Sequence, residues 1–78
     1  MKTMTCKQLG GACDKEFHAE TFKEMSELSK RHSIAMFQKK DADHLKAMED
    51  MKLLMVDSKA MEKWLMDKIK EFESLPND

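Results

Sequence analysis

From Thr21 onward, apolar residues recur at steps of three and four, and before it they do not. Phe22, Met25, Leu28, Ser29, His32, Ala35 and Met36 fall on one face of a helix that runs to about Lys39. Lys23, Glu27, Lys30 and Arg31 occupy the other face, with Glu27 and Arg31 at i, i+4 and the acid first. Thr21 and Glu24 have the spacing of a capping box, so the helix is expected to start there. Lys39, Lys40 and Asp41 interrupt the pattern. Asp41 is then a candidate cap for a second helix over about Ala42 to Val56, with Leu45, Met48, Met51, Leu54 and Met55 as its apolar positions. Asp57 or Ser58 can cap a third, in which Met61, Trp64, Leu65, Lys68, Ile69, Phe72 and Leu75 keep the spacing with one interruption. Pro76 ends it and leaves Asn77 and Asp78 as a frayed tail. So few residues separate the last two helices that an antiparallel helical hairpin is expected over 41–75.

The first 20 residues read differently. The adjacent Gly10 and Gly11 divide them into Lys2 to Leu9, which suits a strand, and Cys13 to Glu20, with Phe17 in a polar run. Two extended runs about a Gly-Gly pair predict a β-hairpin over 1–20. The expected fold is α+β and mostly helical: a short hairpin packed on a first helix over 21–39, then the helical hairpin, all in one domain.

Composition narrows the function classes. A chain of 78 residues buries only roughly 60% of the surface its unfolded form exposes. A metal, a disulfide or a partner subunit commonly supplements so small a core. Fourteen Lys and Arg against 15 Asp and Glu leave a net charge of −1, without the basic footprint of a nucleic-acid binder. No stretch approaches the roughly 20 apolar residues of a membrane span, and the first ten residues hold no signal-peptide run. The cytoplasm is therefore the expected compartment. There, thiols stay reduced and cysteine pairs more often bind metal or do redox chemistry. Of nine methionines, most are expected in the core. Met48, Met51, Met55, Met61 and Met66 could also form a pliable surface for a protein partner or a second copy. No serine–histidine–acid set and no phosphate-binding Gly-rich loop is visible, so no enzyme is expected.

The chemistry concentrates at the N-terminus. Cys6 and Cys13 flank the Gly-Gly turn, and strand alternation directs both toward the first helix, with Met4 and Phe17. His32 lies on that helix's apolar stripe. Two thiolates and an imidazole are ligand types that zinc favours. His18 is the nearest fourth candidate, although alternation sets it on the face opposite Cys13, so a bulge or the strand end must turn it inward. Asp14 and water are the other options. His44, beside Leu45 and without a helical partner at i+4, reads as a solvated side chain.

The stretch Thr5-Cys6-Lys7-Gln8-Leu9-Gly10-Gly11-Ala12-Cys13-Asp14, followed by Thr21 with Glu24 and then His32, resembles a group of short prokaryotic proteins. They are known as domain of unknown function 1059, or predicted small metal-binding proteins. The resemblance covers about the first 37 residues. It implies a hairpin followed by a helix and a metal site on Cys6, Cys13 and His32. Members often carry a second histidine where this chain has Phe37, and many end soon after the helix, so the last two helices inherit nothing from it. The leading expectation is a small protein with a structural zinc site. The alternatives are a metal-free Met-rich interaction module and a thiol redox protein cycling a Cys6–Cys13 disulfide.

Overall fold

The computed structural model describes residues 1–77, so the expectation for Asp78 lies outside the described residues. Strands β1 (Lys2–Thr5) and β2 (Glu16–Ala19) form an antiparallel hairpin, followed by helices α1 (Phe22–Lys39), α2 (Ala42–Val56) and α3 (Ser58–Ser74). The α+β, mostly helical fold read from the sequence is the one observed.

The strands are shorter than expected. The ladder pairs Lys2 with Ala19, Thr3 with His18, Met4 with Phe17 and Thr5 with Glu16, then stops. The Thr5 N–H donates to Gln8 Oε1 (2.8 Å), and the Gln8 N–H donates to Thr5 Oγ1 (3.2 Å). This reciprocal pair, of the kind that competes with strand ladders, turns the chain at Cys6 into helical φ and ψ and a 3-10 turn over Lys7–Leu9. Gly10–Gly11 is thus part of a ten-residue connection and not the tip of a two-residue hairpin turn. Gly10 takes φ 90°, the left-handed region open to glycine.

All three helix starts follow the side-chain caps visible in the sequence. Thr21 Oγ1 accepts from the Glu24 N–H (3.2 Å), Asp41 Oδ2 from the His44 N–H (3.0 Å), and Asp57 Oδ1 from the Lys59 and Ala60 N–H groups (3.1 and 3.2 Å). Between α1 and α2, Lys40 adopts φ 57°, and the Lys40 and Asp41 N–H groups donate to the Phe37 and Met36 carbonyls. That is the hydrogen-bond pattern of a Schellman turn. Helix α2 therefore begins at once and turns back over the hairpin loop.

One face of the hairpin, Met4, Phe17 and Ala19, is buried together with Cys6, Met25 of α1 and Phe72 of α3. Phe22 and Phe72 meet edge to face at 5.9 Å between ring centroids. Lys2 Nζ lies 5.1 Å from the Phe72 ring and donates to the Glu73 carbonyl at 2.9 Å. The end of α3 is thereby tied to the first strand. Gly10 lies against both Met51 of α2 and Trp64 of α3, so these helices fold back on each other over the loop. The Cα frame measures only 33 × 29 × 16 Å. A slab about one and a half helix diameters thick leaves little interior. Among the described residues, no helix is long and apolar enough to cross a membrane.

Candidate metal centre

Four side chains from three parts of the chain converge above the loop: Cys6, Cys13, His32 and His44. The loop sets the sulfurs. The Cys6 N–H donates to the Lys15 carbonyl (2.8 Å), the Lys7 N–H to the Cys13 carbonyl (3.0 Å), and the Gly11 N–H to the Cys6 carbonyl (2.8 Å). These bonds fold the two cysteines toward one volume. A Cβ on Gly11 would collide with Cys6 Sγ, so the sulfur's position requires glycine there.

Helix α1 supplies His32 from the stripe that packs on β2, with its ring edge to face with Phe17 at 5.5 Å. Its Nε2 is 3.2 Å from Cys13 Sγ. The first turn of α2 supplies His44, whose Nε2 is 3.6 Å from Cys6 Sγ. Asp41 fixes that ring: its Oδ2 lies 2.6 Å from His44 Nδ1, and a carboxylate can only accept, so Nδ1 carries a proton and, in the neutral ring, the Nε2 lone pair faces the sulfurs. A carboxylate behind a ligand histidine is the usual second support of a metal site.

The four donor atoms are close enough to share one ion. With bonds of about 2.3 Å to sulfur and 2.1 Å to nitrogen, neighbouring donors in a tetrahedral site stand roughly 3.4–3.8 Å apart. Of the two sulfur–nitrogen distances, 3.6 Å falls within that range and 3.2 Å just below it, and no pair of the four donor atoms exceeds 4.8 Å. These residues could hold a metal ion.

The electrostatics point the same way. Burial pushes the Cys6 thiol up, against the lowering effect of the Cys13 and Ala12 backbone N–H groups. Burial also acts to raise Cys13, but the Lys15 backbone and the His44 and Cys6 side chains outweigh it and lower that thiol. His32 is held below the usual imidazole range by burial and then by His44, whose ring is 5.2 Å away. His44 is raised by its hydrogen bond to Asp41, against its burial. That hydrogen bond holds the Asp41 carboxyl below the ordinary carboxylate range. Two facing imidazoles beside two thiols are poorly suited to carrying two extra protons, and well suited to sharing one cation.

Three of the residues singled out in the sequence, Cys6, Cys13 and His32, are thus brought together. His18 is not. The β ladder runs without a bulge, so alternation keeps His18 on the exposed face, where Nδ1 is 2.9 Å from Thr3 Oγ1. Asp14 is also exposed and faces Lys7 at 3.9 Å. The reading of His44 as solvated is corrected: it is 6% exposed and stands where the fourth donor belongs. Ligands drawn from separate elements need no i+4 partner. A usable signal was present in Asp41-Ala42-Asp43-His44, a cap residue three positions before a histidine. No protein-family model, curated protein or solved structure matches the chain.

Proposed function

We propose that this chain is a small zinc-binding protein whose metal is structural. The convergence of two sulfurs and two imidazole nitrogens within 4.8 Å carries the reading. A soft, tetrahedral S₂N₂ donor set suits zinc. With all four positions supplied by the protein and two of them, Cys6 and His44, buried, the site is of the closed kind that stabilises a fold rather than catalyses. Bound there, the ion would tie the loop to α1 and α2, the links that a thin slab with few buried apolar side chains lacks. The resemblance of residues 1–37 to the small metal-binding proteins supports the same reading, and membership of that family is part of the proposal.

The test is elemental analysis of protein purified without an affinity tag, followed by melting with and without a chelator. We expect one zinc per chain and a melting temperature lowered by more than about 10 °C on removal of the ion. Metal-free protein with unchanged melting in chelator would remove the proposal.

The proximity of the two sulfurs favours one second reading, a thiol pair that cycles through a Cys6–Cys13 disulfide. Thiol counts before and after a mild oxidant, on zinc-loaded protein, separate the two: a structural site keeps both thiols protected.

A further inference from the structure

The inward side of α2, His44, Ala47, Met48, Met51 and Leu54, is at least half-buried, but its outward side is not left to charged residues. Leu45, itself half-buried, and the exposed Glu49, Lys52, Leu53 and Val56 share a face about 100° wide at 100° per residue. Val56 and Leu53 are 84% and 73% exposed, the two highest values among the exposed large hydrophobics. Ile34 and Phe37 of α1, also exposed, border the same helix with Met48 around a shallow groove of about 250 Å³.

We propose that this face binds a second copy of the chain, α2 against α2 in antiparallel sense about a two-fold axis. Two observations name that occupant. The first is the area. The chain exposes 5724 Å², whereas a folded monomer of 9.1 kDa exposes about 4900 Å² by size scaling. The excess of roughly 800 Å², summed over the whole surface of the slab, is of the size of one partner's share of a standard interface. The second is charge. A two-fold interface must be self-complementary, and a lone acid and a lone base stand one turn apart amid the apolar residues. With the axis between Asp50 and Met51, Glu49 of each copy meets Lys52 of the other, and Leu45 of each meets Val56 of the other. Both contacts are made twice. A chain of net charge −1 has no long-range bias toward a strongly charged partner instead. The surface differs from the Met-rich one expected from sequence: Met48, Met51 and Met61 are half-buried, and only Met55 and Met66 of that set are exposed. The inference does not draw on the metal reading.

Sedimentation equilibrium of the full chain, in reductant and from micromolar to millimolar concentration, tests it. The wild type should follow a monomer–dimer equilibrium, and the double variant Leu53→Asp/Val56→Asp should stay monomeric. Glu49→Lys and Lys52→Glu should each weaken the dimer on the order of tenfold, because each sets two like-charge pairs across the axis. The double reversal Glu49→Lys/Lys52→Glu should restore it. The reversals alter only exposed residues, so they remain informative if the apolar variant misfolds. A wild type that is monomeric throughout, a dimer indifferent to these residues, or a double reversal no better than the singles would each overturn the proposal.

Discussion

Residues 2–39 bury Met4, Cys6, Phe17, Ala19 and Met25, whereas α2 and α3 bury only His44 and Phe72. Helix α1 and the two helices of the second half all carry apolar residues at steps of three and four, yet they use them differently. In the first half, the apolar stripe of α1 meets the apolar face of a hairpin, and both are covered. In the second, two helices fold back on each other, reach the first half at a few points, and leave Leu53, Met55, Val56, Leu65 and Met66 in solvent. A regular apolar period therefore predicts a helix more securely than it predicts what that helix covers. The second half contributes to the site through a single side chain at one capped end.

The largest effect that sharpens this contrast is in the core. Met4→Ala should cost about 2–5 kcal/mol, because Met4 is fully buried. Leu53→Ala, measured at a concentration where the chain is monomeric, should change stability by less than about 0.5 kcal/mol. Urea unfolding of both variants checks the pair, and comparable losses would erase the distinction between the halves.

Next is the single candidate ligand from the second half, under the proposed zinc reading. His44→Gln should weaken zinc binding more than about a hundredfold, since it removes a donor and leaves its partners in place. His18→Gln, altering an exposed residue opposite the site, should leave affinity unchanged. Competition with a chromogenic chelator measures both. Equal affinities would return α2 to the role of a bystander.

Asp41→Asn isolates the support behind His44. Asparagine caps a helix as well as aspartate does, so α2 should persist. Affinity should still fall about tenfold as the charge that orients the imidazole is lost. Unchanged circular dichroism together with weakened zinc binding is the expected signature.

The smallest effect lies at the junction of the halves. Lys40 holds φ 57°, a conformation that costs a side-chain-bearing residue about 1 kcal/mol. Lys40→Gly should raise stability by about 0.5–1 kcal/mol without altering zinc affinity, as seen in thermal melts of the zinc-loaded protein. A destabilised variant would show that the turn is held by contacts of the lysine side chain.

Helix starts were legible because they are local. Thr21, Asp41 and Asp57 each bond to backbone within three residues, so residue type and spacing suffice. The approach of His32 to the cysteines was legible almost as directly, since it needs only that an amphipathic helix place its stripe on the neighbouring hairpin. The strand ends were misjudged because the Thr5–Gln8 hydrogen bonds outcompete the ladder, and such side-chain competition is hard to weigh from a list of residues. For His44 the sequence carried only a local signal, the cap residue Asp41 three positions before it, and that signal does not say what the ring meets. Whether an imidazole in the first turn of α2 meets solvent or sulfur depends on where α2 points after Lys40. That direction is set by a left-handed residue in the turn and by the packing of Met51 and Trp64 against Gly10. Sequence alone thus determined the order of strands and helices, the helix starts and three of the four candidate donors. The tertiary structure decided the fourth, because bringing residue 44 to residue 6 depends on the path of all the chain between them.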